Sequence, residues 1–128
     1  MAAACGVDVP VFWADFKVEM LWKAVKKRKV KARSLPKFPF VRRDLALVVD
    51  QSMTYETLRT AAFNAEKKLL KDVSLFDVYQ GKGLEEGEKS YALAFKLQHP
   101  EATLNDKQID SAISRILKAL ESAGARLR

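Results

Sequence analysis

Asp77 and Tyr79 stand two residues apart in the phrase Leu75-Phe76-Asp77-Val78-Tyr79-Gln80-Gly81. The phrase reads as a strand running into a turn. A strand sends alternate side chains to opposite faces, so the acid and the ring point the same way. An ionised carboxylate offers acceptor oxygens only, and a phenol offers a flat ring. Together on one sheet face they can hydrogen-bond a nucleobase edge and stack on the base at once. The phrase Lys89-Ser90-Tyr91-Ala92-Leu93 opens the next strand after a turn region, which brings the Ser90 hydroxyl near Tyr79. A blander reading of the same residues stands beside this one. Tyr79 would then only shield Val73 and Leu75, and Asp77 would pair with a nearby lysine.

Other chemistry finds little footing. No Gly-rich loop leads into a helix with Lys-Ser/Thr, so nucleotide hydrolysis has no support. The one histidine, in His99-Pro100 after a strand, reads as a turn residue rather than a general base. No Ser/His/Asp or Cys/His pairing suggests itself. Cys5 is the sole cysteine, which excludes a disulfide within the chain, and Cys5 with His99 supplies too few ligands for structural zinc. No apolar run approaches the roughly 20 residues that span a bilayer. Residues 1–16 lack a charged start followed by an apolar core, so no signal peptide is expected and a cytoplasmic location is the default.

The 128 residues carry a net charge of +7, unevenly placed. Lys17 to Arg43 holds eleven Lys/Arg against one acid, Glu19, a local +10; the rest carries twelve basic and fifteen acidic residues, or −3. Such a block favours a polyanion, unless it is only a solvated helix face and linker.

The elements that must position these residues follow from periodicity. Val11–Phe16 reads as a short aromatic strand, and Glu19–Arg28 as a helix with Met20, Leu21, Ala24 and Val25 in its apolar stripe. One strand and one helix cannot bury themselves. Lys29–Pro39 is a basic linker held extended by Pro36 and Pro39. Beyond it come a strand at Leu45–Val49 and a helix from the N-cap Thr54 to about Leu70. A strand follows at Val73–Tyr79, then another at Ser90–Leu97. Asn105 with Gln108 makes a capping-box start for the second helix, which Gly124 stops, and Ala125–Arg128 closes a fourth strand.

The order βαββαβ, with one apolar stripe per helix, predicts an α+β ferredoxin-like sandwich: a four-stranded antiparallel sheet with two helices on one face. A short N-terminal strand-helix extension precedes it. Strict alternation assigns Phe76, Val78, Tyr91, Leu93, Phe95 and Leu97 to the covered face. The open face then receives Val73, Leu75, Asp77 and Tyr79, with Ser90, Ala92, Ala94 and Lys96 opposite. Small alanines beside Asp77, Tyr79 and Ser90 leave room for a flat ligand.

These phrases, with Phe38-Pro39-Phe40-Val41-Arg42-Arg43-Asp44-Leu45 and Thr103-Leu104-Asn105-Asp106, resemble the C-terminal ferredoxin-fold anticodon-binding domain of the bacterial phenylalanyl-tRNA synthetase beta subunit. The resemblance covers residues 35–128 and agrees with the fold reached from the pattern. It implies that Asp77 and Ser90 hydrogen-bond the first anticodon base of phenylalanine tRNA and that Tyr79 stacks on it. Arg42 and Arg43 match the family's Val-Arg-Arg-Asp phrase and go to the phosphate backbone or to domain orientation, or pair with Asp44 or Asp50. Arg126 and Arg128 read as solvated charges without a base-specific role. The resemblance further implies that residues 1–34 are the tail end of a preceding catalytic-like module and a basic linker, cut from a longer protein, which would leave Trp13 and Trp22, core there, partly exposed here. It implies an alpha subunit partner in an alpha2-beta2 heterotetramer, and no membrane. The fragment itself would be non-catalytic and free of cofactors, with ATP and magnesium serving the whole ligase.

Two other readings suit the same fold. An acylphosphatase-like domain wants an arginine and an asparagine near a basic loop, whereas Asp50-Gln51-Ser52 is acidic to neutral. A small-molecule regulatory domain would respond to amino acids. A conventional RNA-recognition motif fits poorly, because Ala92 and Ala94 stand where its exposed aromatics belong.

Overall fold

The computed structural model describes Gly6, residues 11–26 and residues 35–128. The chain divides into two units, 1–34 and 35–128. In the first, helix α1 spans Val18–Lys26. Residues 11–17 carry no strand, a correction to the expected strand-helix extension: only the helix is present. An isolated short segment without a pairing partner has no ladder to hold it extended. Trp13 and Trp22 are both exposed. Lys27 and Arg28, expected in the helix, and most of the basic linker lie outside the described residues.

In the second unit the elements are β1 (Val41–Asp50), α2 (Tyr55–Ala65), β2 (Leu70–Tyr79), β3 (Glu88–Leu97), α3 (Asp106–Ser122) and β4 (Arg126–Leu127). The strands form one sheet in the order β2-β3-β1-β4, and every neighbouring pair is antiparallel. This is the ferredoxin-like arrangement expected from the pattern.

The core lies between the sheet and both helices. From β1 it takes Leu47 and Val49, and from β3 Tyr91, Leu93, Phe95 and Leu97. Leu58 and Ala62 come from α2, and Ile109, Ala112, Ile116 and Leu120 from α3, at helical spacing. Each large side chain removed from water here contributes about 1.5–3 kcal/mol.

Local signals set the ends of the helices. The Thr54 hydroxyl accepts from Thr57 N–H at 3.2 Å. Asn105 and Gln108 complete a reciprocal capping box at 2.9 and 3.0 Å. Helix α2 stops at Ala65, short of the expected Leu70. Glu66 leaves helical geometry, and its carboxylate accepts from the N–H groups of Lys68 and Leu69. Leu70 already belongs to β2.

Three facial assignments are corrected in β2. Its register against β3 shifts between Leu75 and Asp77, where a bulge inserts one extra residue. Before the bulge, Val73 faces Phe95 and Leu75 faces Leu93, so both pack toward the core rather than onto the open face. Phe76, expected in the core, is instead 53% exposed. After the bulge Asp77 pairs with Ala92 and Tyr79 with Ser90, so these two keep the expected face.

Candidate nucleic-acid interface

Register places the residues of the open face in rows, because residues directly opposite each other in an antiparallel pair share a face. Tyr79, Ser90, Val48 and Arg126 form one row from β2 to β4. Asp77, Ala92 and Ala46 form the next, then Ser74, Ala94 and Asp44, then Asp72, Lys96 and Arg42. The alanines make a low floor across the middle of the sheet. Asp77 and Tyr79 stand at one side of this floor on the edge strand.

Asp77 is exposed and makes no hydrogen bond or ion pair among the described residues. Its acceptor oxygens are therefore free. Tyr79 is 38% exposed, and its hydroxyl donates to the Lys82 carbonyl at 3.1 Å, which fixes the ring on the hairpin. Ser90 is 4% exposed. Among the described residues its hydroxyl makes no hydrogen bond, and no buried side-chain polar atom is left without a partner. Ser90 is therefore nearly buried between Tyr79 and Val48 in its row, and a ligand reaches at most the edge of its side chain.

The hairpin that presents Tyr79 and Ser90 is tied to the β1–α2 loop. Gln51 N–H donates to the Gly87 carbonyl at 2.7 Å, and Lys89 Nζ donates to the Gln51 carbonyl at 2.7 Å. Asp50 accepts from both the N–H and the hydroxyl of Ser52, and these bonds hold its carboxyl below the ordinary value. The loop is thereby closed on an acid rather than arranged to cradle an anion, which counts against acylphosphatase chemistry.

Arg42 and Arg43 do not act together. Strand alternation sends Arg42 to the open face beside Lys96, and Arg43 to the opposite side, in register with Phe95. Arg42 also stands six residues along β1 from Val48, about 20 Å at normal strand rise. No single base reaches both Arg42 and the Tyr79–Ser90 row. Arg42 Nε donates to Asp44 at 2.8 Å, a bond that holds the guanidinium charged still more firmly.

Two residues read as solvated charges join the site instead. Arg126 donates to both oxygens of Glu88 at 2.9 and 3.1 Å, bridging over Val48. Arg128 lies with its guanidinium carbon 5.1 Å from the centre of the Tyr79 ring. The signal was present in their spacing: two arginines two apart on a terminal strand must share a face. Lys96 lies near the Phe40 ring at 5.5 Å, and Arg42 over the Phe76 ring at 5.3 Å. The open face thus pairs three aromatics with three cations. Among the described residues no cluster of metal-ligating side chains occurs and no helix is long and apolar enough to cross a membrane.

Comparison with known proteins bears on this face. Residues 36–128 match the ferredoxin-fold anticodon binding domain. The chain is 49% identical over 129 residues to the phenylalanine–tRNA ligase beta subunit of Bacteroides fragilis, covering 100% of the chain and 16% of that protein. It is 45% identical to the corresponding subunit of Bacteroides thetaiotaomicron, covering 98% of the chain and 15% of that protein. With that of Porphyromonas gingivalis it is 45% identical, over 95% and 15%. The chain spans about one sixth of the length of these relatives. A βαββαβ sandwich matched over nearly its whole second unit places the chain in one family: it belongs to the ferredoxin-fold anticodon binding domains.

Proposed function

We propose that the open sheet face of residues 35–128 binds the anticodon of phenylalanine tRNA on behalf of a whole phenylalanine–tRNA ligase. The observation that carries this reading is the free Asp77 carboxylate beside the Tyr79 ring, at the edge of the floor of Ala46, Ala92 and Ala94. A base laid on Tyr79 presents its edge to Asp77 and to the Ser90 hydroxyl. Acceptor-only oxygens select base edges that donate, so Asp77 discriminates while Tyr79 supplies sequence-tolerant stacking. Arg42 meets a different nucleotide or its phosphate.

The chain's own part is recognition, not chemistry. In the whole ligase, ATP and magnesium serve catalysis elsewhere, and an alpha subunit completes an alpha2-beta2 heterotetramer in the cytoplasm. Residues 1–34 are the end of the module preceding this domain in the longer subunit. The basic block from Lys17 to Arg43 adds attraction for RNA backbone without base preference.

Titration of the full chain with a phenylalanine-tRNA anticodon stem-loop, against a loop-scrambled control, tests the reading. Binding that prefers the native loop supports it. Equal binding to both RNAs, or none, refutes it.

A further inference from the structure

The bulge in β2 has an unusual result: it turns a large aromatic side chain out of the core. Phe76 sits between Leu75, which faces the core, and Asp77, which faces outward, and its ring is about half exposed. A core position would have stabilised the fold by burying that ring. On the open face the ring gains a planar partner, the Arg42 guanidinium, 5.3 Å from its centre. The two residues come from strands that are not neighbours, β2 and β1. The strand between them, β3, presents the small Ala92 and Ala94 on this face.

Asp44 takes the Arg42 Nε at 2.8 Å, which orients the guanidinium. Among the described residues its two terminal nitrogens have no partner. Lys96 lies in the same row as Arg42, and Phe40, also about half exposed, lies 5.5 Å from the Lys96 ammonium. This end of the face therefore holds two exposed aromatics and two cations, Lys96 within 3.7 Å of Asp72 and Arg42 bonded to Asp44, with the terminal nitrogens of Arg42 unspent, continuous with the alanine floor that leads to Asp77. Phe76 lies three residues from Tyr79, about 10 Å along the strand.

We propose that the Arg42–Phe76 pair is a second nucleotide subsite, which takes an RNA base flanking the one on Tyr79. The base stacks on the guanidinium plane backed by Phe76, and the free nitrogens of Arg42, with Lys96, hold the adjoining phosphate. Arginine planes and aromatic rings both stack splayed single-stranded bases. The subsite adds affinity and fixes the direction in which the strand crosses the sheet. It does not choose the base on Tyr79. The inference rests on the anticodon reading above and extends it to residues outside the Asp77–Tyr79–Ser90 group.

The test compares Phe76→Ala, Phe76→Tyr, Arg42→Gln and Tyr79→Ala in the full chain, titrated with the anticodon stem-loop. Phe76 is exposed, so its replacement leaves the fold intact, which thermal melting checks. Phe76→Ala is expected to weaken binding roughly 5- to 150-fold, with the preference among first-anticodon-base variants unchanged. Phe76→Tyr keeps a ring and should retain wild-type affinity. Arg42→Gln should lower the slope of log affinity against log salt by about 0.7. If Tyr79→Ala weakens binding while Phe76→Ala and Arg42→Gln leave affinity and salt slope at wild-type values, the second subsite is refuted and the anticodon reading stands. If the wild-type chain shows no preference for the native loop, both are refuted together.

Discussion

The guanidinium of Arg128 lies over the ring of Tyr79, 5.1 Å from its centre, although the two residues belong to opposite edges of the sheet. The route from sequence to this contact is short. Helix α3 ends in a Schellman turn: Gly124 N–H donates to the Glu121 carbonyl and Ala125 N–H to the Leu120 carbonyl, each at 3.0 Å. The turn feeds β4, which pairs with β1 at Leu47 and Val48, and Arg128 N–H donates to the Ala46 carbonyl at 2.9 Å. Arg126 and Arg128 then lean across β1 and β3. The end of the chain thus presses on the residue that would stack an RNA base.

Removal of that guanidinium should cost little stability and change the ring's surroundings. Arg128→Ala is expected to lose no more than about 1 kcal/mol, the ordinary range of an exposed cation–aromatic contact. The Tyr79 ring resonances should shift in an NMR spectrum of the variant, while core methyl resonances stay in place.

Gly124 has φ of +95°, where a side chain is strained, whereas a Cβ there would meet only Met53 Cε at 3.7 Å. The cost of Gly124→Ala is therefore backbone strain rather than a clash. It should reach about 1–2 kcal/mol in urea unfolding. Hydrogen exchange should quicken at Arg128 N–H, because the turn that delivers β4 is the part disturbed.

Phe95 lies at the centre of the sheet, fully buried, and faces Val73 across β2. Phe95→Ala should cost about 3–5 kcal/mol by the transfer and cavity penalties of a large core residue. Denaturant unfolding measures it. Phe76→Ala, on the same sheet but outside, should stay within about 0.5 kcal/mol of the parent.

Glu66 joins the two helices on the covered side. Its nearly buried carboxylate receives Arg115 Nε at 3.2 Å and a second, shorter bond from an Arg115 terminal nitrogen, besides the N–H groups of Lys68 and Leu69. Burial alone would raise the carboxyl's pKa and is the largest single influence, but the Arg115 bond and the two backbone bonds together hold it below the ordinary value. A folded-state value below the unfolded one gives stability that is fully present above the unfolded value. That stability is lost as pH falls through the folded one. Glu66→Gln should cost about 1–3 kcal/mol near neutral pH. It should also flatten the loss of stability in acid below the ordinary glutamate range, which urea unfolding at several pH values checks.

Periodicity made most of the fold legible. The strict alternation of β3 and the stripe of α3 named the core side chains, and Thr54, Asn105 and Gly124 marked helix ends by their capping chemistry. The β2 face was legible only in part. A bulge changes parity without changing composition, so nothing in Leu75-Phe76-Asp77 announces that Leu75 and Asp77 face opposite ways. Asp77 and Tyr79 kept their shared face because both follow the bulge. Arg42 and Arg43 stand together in the family's Val-Arg-Arg-Asp phrase, but adjacency in a strand means opposite faces. Arg126 and Arg128 read as solvated charges because their spacing shows a shared face but a two-residue strand has too little pattern to show what it leans against. The strand expected at Val11–Phe16 rested on aromatic and β-branched composition, which does not form a strand without a neighbour to pair with.

The central claim is that Asp77 reads a base laid on Tyr79. The most direct measurement is the affinity of the intact ligase for phenylalanine tRNA and for tRNAs altered at the first anticodon base, compared between wild type, Asp77→Ala and Tyr79→Ala. Tyr79→Ala is expected to weaken binding of every tRNA by about 1–3 kcal/mol. Asp77→Ala is expected to narrow the gap between the native and altered tRNAs. Neutralising one lysine of the Lys17–Arg43 block should instead weaken all tRNAs alike and lower the salt slope by about 0.7. If Asp77→Ala and Tyr79→Ala leave both affinity and anticodon preference at wild-type values, the open face does not read the anticodon through these residues and the account is contradicted.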